Sequence, residues 1–116
     1  MSNEISKKIS EDMVDHSIAV IRYIESQRLP KSVVDQLTRA VTSVGANYTE
    51  AQDAASKKDF ANKIFIAKKE SAETSYWLRF VEKYCGITDE LQKLHDDTQK
   101  FTMILQKILT SLRSPS

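Results

Sequence analysis

Between Phe60 and Cys85, apolar and small residues recur at steps of four and three without a slip: Phe60, Ile64, Ala67, Ser71, Thr74, Leu78, Val81, Cys85. A strand would repeat every second residue, so this spacing predicts the inward seam of one α-helix about seven turns long. The same rhythm returns in Val34, Leu37, Val41, Val44, Tyr48, Ala51, Ala55 and in Leu91, Leu94, Thr98, Phe101, Leu105, Ile108, Leu112. Nearer the start, Val14, Ile18, Ile21 and Ile24 predict a further seam. Only two Gly and two Pro punctuate 116 residues. That is too few for the turns of a sandwich, a barrel or a Gly-rich nucleotide fold, and the chain reads as a single all-α domain over residues 1–116.

Local signals divide that domain. Ser10 is an N-cap candidate, with Glu11 and Asp12 in the electropositive first turn. Leu29 precedes Pro30, which pushes it out of the helical region and ends the first helix. Ser32 with Asp35, and Ser56 with Asp59, have the spacing of capping boxes. Gly86 suits the left-handed position past a helix end, with Ile87 as its apolar companion, and Thr88 with Asp89 and Glu90 opens the last helix. These signals predict helices over about 10–28, 32–55, 57–85 and 89–112, with a polar tail from Arg113 to Ser116. Short connections make consecutive helices antiparallel neighbours, an up-down-up-down four-helix bundle. Folding the second helix back onto the third sets Ala51 against Phe60, Tyr48 against Ile64, Val44 against Ala67 and Val41 against Ser71, so that large side chains mostly meet small ones.

The third helix exceeds what a bundle needs. A second stripe, Ile66, Glu70, Glu73, Trp77, Phe80, Tyr84, has the same spacing but lies one residue, about 100°, away from the first. Such an aromatic face is either a self-association surface or is absorbed by flanking helices 1 and 4. The hairpin register also sets Arg39 opposite Glu73 and Glu50 opposite Lys63, and places Asn47 at a seam edge. Gly45 inside the second helix costs about 1 kcal/mol against Ala, which a kink or a close helix approach would explain.

Charge and chemistry exclude more than they assign. Lys plus Arg total 17 and Asp plus Glu 16, a formal charge of +1 without the basic excess of an obligate nucleic-acid binder. The local exception is Lys57, Lys58, Lys63, Lys68 and Lys69, offset in that span by Asp59 alone, a candidate contact for nucleic-acid phosphates. A di-iron bundle needs Glu-x-x-His pairs, but Met13 precedes His16 and Gln92 precedes His95 at that spacing. Lone Cys85, at a seam position, reads as a small core residue and fits a reducing compartment. With no nucleophile beside a base, no phosphate loop, no apolar span and no signal sequence, the expectation is a cytoplasmic protein that is not an enzyme, uses no metal or cofactor and does not enter a membrane.

The ordered runs Gln36-Leu37-Thr38-Arg39-Ala40, Asn47-Tyr48-Thr49-Glu50-Ala51, Ser56-Lys57-Lys58-Asp59-Phe60 and Ile66 through Leu78, the last carrying Lys69-Glu70 before Glu73-x-x-Tyr76-Trp77-Leu78, resemble a bacterial four-helix-bundle family. Its founding members are encoded by intervening sequences in 23S ribosomal RNA genes and are often labelled ribosomal-protein-like. The likeness covers about Leu29 to Gly86; Ala51 stands where many relatives have Gly. It implies a left-handed up-down bundle, a ring-like homopentamer, no established enzymatic activity, and an assembly role for Arg39, Asn47, Glu50, Glu70, Glu73, Tyr76, Trp77, Phe80 and Tyr84. A related branch, the accessory protein of diversity-generating retroelements, is a strongly basic pentamer that binds nucleic acid and a reverse transcriptase. At a pI of about 7.8 this chain is not strongly basic, so the first expectation is a homo-oligomeric scaffold for a protein or RNA partner, and a nucleic-acid accessory factor is the alternative.

Overall fold

A computed structural model describes residues 3–113. Among them are four helices and no strand: α1 (Asn3–Glu25), α2 (Lys31–Gln52), α3 (Lys57–Cys85) and α4 (Asp89–Arg113). The bundle measures 49 × 22 × 21 Å. Each helix packs on its neighbours in chain order and α1 closes against α4, while the backbones of the diagonal pairs α1/α3 and α2/α4 stay more than 8 Å apart and meet only through core side chains. The helices flanking α3 are therefore α2 and α4, rather than helices 1 and 4.

Two predicted caps form. Ser56 accepts a hydrogen bond from the Asp59 N–H at 3.0 Å, and the Asp59 carboxylate accepts from the Ala55 N–H at 3.3 Å. Thr88 accepts from the Leu91 N–H at 3.1 Å and its hydroxyl also pairs with Tyr23 Oη at 3.0 Å, tying the start of α4 to the end of α1. Two do not. Ser10 lies well inside α1, which begins at Asn3, holds Ser6 buried and packs Ile9 on the core. Ser32 is already helical, because Pro30 occupies the N-cap of α2 and gives no side-chain bond. Gly86 has φ 98° and ψ 154°, a positive φ as expected but an extended ψ outside the left-handed helical well, and Ile87 is 67% exposed rather than packed beside it. The last helix includes Arg113, and the rest of the predicted tail, residues 114–116, lies outside the described residues.

The core follows the α2 and α3 seams and departs from the others in part. Leu37, Val41, Val44, Tyr48 and Ala51 are buried with Ile64, Ala67, Ser71, Thr74, Leu78 and Val81. Val34 and Phe60 are half-buried, and the seam ends differ from expectation: Ala55 lies beyond α2 and is exposed, as is Cys85, whose thiol is no core group. On α4, Leu91, Leu94, Thr98 and Leu105 are buried and Phe101 and Ile108 pack half-buried on the core, but the buried residue at the end is Leu109, outside the expected seam, while Leu112 is only half-buried. The α1 seam holds at Ile24, in part at Ile21, which packs on the core, and is corrected at Val14 and Ile18. Met13, Ser17, Val20 and Ile24 face inward together with His16 and Tyr23, whereas Val14 and Ile18 are exposed and Ile21 is half-buried. The reason lies at Gly45: a Cβ there would sit 3.2 Å from Met13 Cβ, so α1 and α2 approach closely where α2 has no side chain. Ser17 completes that contact by donating to Val41 O at 3.0 Å. The register that presents Met13 and Ser17 to α2 turns Val14 and Ile18 outward.

Removing the Ser56 cap tests the local reading directly. Ser56→Ala is expected to lower stability by about 1 kcal/mol, read as a lower urea midpoint at unchanged slope.

Candidate functional site

The sequence-predicted assembly residues converge at the α2/α3 surface. Steps of three and four set Glu70, Glu73 and Trp77 on one face of α3, and Arg39 of α2 reaches across to it. Arg39 Nη1 donates to Glu70 Oε2 at 2.9 Å and Nη2 donates to Glu73 Oε2. Its hydrogen bonds to the Glu70 and then the Glu73 carboxylate hold the guanidinium above its usual pKa range. The Trp77 indole N–H also donates to Glu73 Oε2, at 3.4 Å, so one carboxylate joins the ion pair to the aromatic stripe. Arg39 remains substantially exposed, and the cluster therefore fixes register and contributes little to stability.

Beyond Trp77 the rings form a ladder. Tyr76 and Trp77 meet edge-on at 5.0 Å between centroids, Trp77 and Phe80 at 5.8 Å, and Phe80 and Tyr84 stack at 5.6 Å. Trp77 packs one side on the core cluster of Val20, Leu37 and Leu78. Phe80 is half-buried, but Tyr76 is 60% and Tyr84 58% exposed. The bundle absorbs the second stripe only in part.

The other predicted pair forms as well: Lys63 Nζ donates to Glu50 Oε1 at 3.0 Å. Asn47 pairs with no other helix through its amide N–H group, which instead donates to Ser43 O one turn back at 2.9 Å. The five lysines divide accordingly. Lys63 is committed to α2 and Lys68 is half-buried, while Lys57, Lys58 and Lys69 are exposed. Lys57 and Lys58 share a groove of about 930 Å³ with Phe65, Leu109, Leu112 and Arg113, between the start of α3 and the end of α4. Arg113 and the half-exposed Phe65 ring extend this basic end beyond the residues picked out from sequence.

A feature absent from the sequence reading occupies the middle of the bundle. Two apolar clusters, one around Leu37, Leu78 and Leu91 and one around Tyr48, Ile64 and Leu105, are separated by buried His16, Ser71, Thr74 and Thr98. His16 Nε2 lies 3.0 Å from both Leu94 O and Thr98 Oγ1. Since Leu94 O can only accept, Nε2 carries the proton. Ser71 Oγ pairs with Thr102 Oγ1 at 2.6 Å, and Thr74 Oγ1 donates to Glu70 O at 2.8 Å. No buried side-chain nitrogen or oxygen among the described residues lacks a partner. Polar letters in the predicted seams, Ser71, Thr74 and Thr98, were the readable signal for this layer; His16 gave none, because it belongs to the α1 stripe the sequence did not favour.

His95 Nδ1 lies 2.7 Å from Glu82 Oε1, at the α3/α4 contact, so the two histidines serve separate helix contacts. Among the described residues no three His, Cys, Asp or Glu side chains gather as a metal site, and no helix is long and apolar enough to cross a membrane.

Burial lowers the His16 pKa from its ordinary 6.5, against smaller opposing effects of Leu94 O and Asp97. The unfolded chain then binds more protons than the folded one, so this contribution to stability is full above pH 6.5 and lost as pH falls below it. Wild type is expected to lose stability there at up to about 1.4 kcal/mol per pH unit, and His16→Gln to be flatter over the same interval, with urea unfolding at each pH as the measurement.

Residues 3–107 match the family model described as 23S rRNA-intervening sequence protein. Among solved structures, the chain is similar to a protein of unknown function from the S23 ribosomal protein family of Bacteroides thetaiotaomicron. That similarity has a TM-score of 0.79 at 30% identity and covers 95% of this chain and 99% of the other. No curated protein matches.

Proposed function

The chain belongs to the 23S rRNA-intervening sequence protein family, and on that premise we propose that it is a non-enzymatic, homo-oligomeric helical scaffold of the cytoplasm that presents a surface to a protein or RNA partner. Its finer architecture in this reading is a left-handed antiparallel up-down-up-down bundle, repeated in a ring-like homopentamer. One observation carries the oligomer: the Tyr76, Trp77, Phe80, Tyr84 ladder is ordered by its own ring contacts yet leaves two tyrosines more than half exposed. Rigid aromatic side chains lose little conformational freedom on docking and supply most of the energy of protein interfaces. The paired numbers Glu50–Lys63 and Arg39–Glu73 run in opposite senses, which supports the antiparallel hairpin.

Light scattering tests it. Wild type is expected at five times the 13.2 kDa chain mass, and Trp77→Asp at a single chain with its helicity kept. Tyr84→Asp, at an exposed position outside the core, checks the same loss without disturbing the fold. An unchanged mass in both variants would remove the ladder from any interface.

The basic end favours a second reading, a nucleic-acid accessory factor associated with ribosomal RNA or a retroelement. Lys57, Lys58 and Arg113 surround an exposed Phe65 ring in one groove, a combination that suits phosphate with a stacked base. Labelled structured RNA and duplex DNA titrated at low and near-physiological salt decide the matter. Binding should weaken with salt, and neutralising Lys57, Lys58, Lys68 and Lys69 should abolish it. No binding at low salt by an intact oligomer would leave a protein-binding scaffold.

A further inference from the structure

The aromatic ladder is not the only apolar surface the bundle leaves uncovered. Because Met13 and Ser17 take the inward register, Val14 is 48% and Ile18 44% exposed, and with Ile21 they form one wall of a groove along α1. The other wall is α2, where Thr42, Gly45, Ala46 and Thr49 hold no large side chain. The groove has a volume of about 430 Å³ and contains no charged residue. It lies on the α1 side of α2, whereas the ladder lies with Glu73 and Arg39 on the α3 side.

We propose that the groove between α1 and α2 is the seat for the α3 aromatic ladder of a second copy of this chain, so that copies join head to tail. The inference rests on the homo-oligomer reading and specifies its contact. Shape points to this pairing: a convex row of rings meets a trough walled by aliphatic side chains on one helix and small residues on the other. Charge decides between this and the symmetric alternative. Beside the ladder, Lys69, Arg79 and Lys83 are exposed and have no ion-pair partner among the described residues, whereas Glu70 and Glu73 are already bonded to Arg39. Ladder against ladder would bring these cations together. Along α1, acidic Glu4, Glu11 and Glu25 continue the Val14-Ile18-Ile21 stripe at steps of three and four and outnumber Lys7 and Arg22, and none of the five is ion-paired among the described residues. Groove against ladder sets acids opposite bases. Since the two surfaces differ, the contact is heterologous and leaves each added copy with a free groove and a free ladder until a ring closes.

Mixing two single-surface variants tests the contact. Ala46→Arg fills the groove at an exposed helical position and Tyr84→Asp disables the ladder; circular dichroism and the thermal midpoint confirm that each is folded, with Ile18→Lys as a second groove variant. Each alone is expected at a single-chain mass. Mixed in equal amounts they should form a 1:1 dimer and stop there, because the intact groove of Tyr84→Asp takes the intact ladder of Ala46→Arg and nothing remains to extend it. Adding Arg79→Glu and Lys83→Glu to a chain weakened by Glu11→Lys and Glu25→Lys should restore assembly. A wild-type mass for both groove variants, or two monomeric variants that fail to pair, overturns the proposal while leaving the homo-oligomer standing. Monomeric wild type overturns both.

Discussion

A helix in a four-helix bundle turns one side to the core, and in this chain both α1 and α3 carry more apolar surface than one side can take. On α3 the seam from Ile64 to Val81 is buried, and the stripe one residue away, ending in Trp77, Phe80 and Tyr84, passes from the core edge to the surface. On α1 the two stripes are Met13-Ser17-Val20-Ile24 and Val14-Ile18-Ile21, again one residue apart. The choice between them is made on α2, where Gly45 lets Met13 come close. That approach sets the rotation of α1, and with it which residues fill the core and which are left outside.

This explains what the sequence disclosed and what it did not. The α2 and α3 seams were legible because each had one long stripe, and the ion pairs Arg39–Glu73 and Glu50–Lys63 followed from the hairpin register they define. In α1 the hydrophobic stripe was right at Ile24 and wrong at Val14 and Ile18, which outrank Ser17 on any transfer scale, yet Ser17 fits the narrow contact and satisfies its hydroxyl on Val41 O. Composition ranks residues singly, whereas burial is decided by the opposing helix. Caps were legible where a hydroxyl had a free amide to bond, at Ser56 and Thr88, and illegible at Ser10 and Ser32, where the chain was already helical and no terminal amide remained.

The polar layer at mid-bundle follows from the same rotation. Facing inward, His16 reaches Leu94 and Thr98 of α4, and that contact joins the two helices farthest apart in sequence. A fully bonded layer stabilises little beyond an apolar one of the same volume, but breaking one member leaves its partners buried and unsatisfied. Sliding α1 by one residue would therefore do more than exchange aliphatic side chains; it would strip Leu94 O and Thr98 of their imidazole partner. The layer thus secures the register that Gly45 permits.

The charges of α3 are divided in the same directional way. All four of its acidic residues are engaged: Asp59 at its own N-terminus, Glu70 and Glu73 by Arg39, and Glu82 by His95. Of its seven Lys and Arg residues, Lys63 alone has a carboxylate partner among the described residues. A chain of net charge +1 consequently carries a cationic outer helix, whose field a composition count averages away. That field acts on whatever approaches α3: it opposes a second α3, suits an acidic face such as that of α1, and at the end bearing Lys57 and Lys58 suits a phosphate backbone. Since solvent-exposed charges are screened over about 8 Å at physiological salt, it directs approach and orientation, while the rings of Trp77, Phe80 and Tyr84 supply the contact itself.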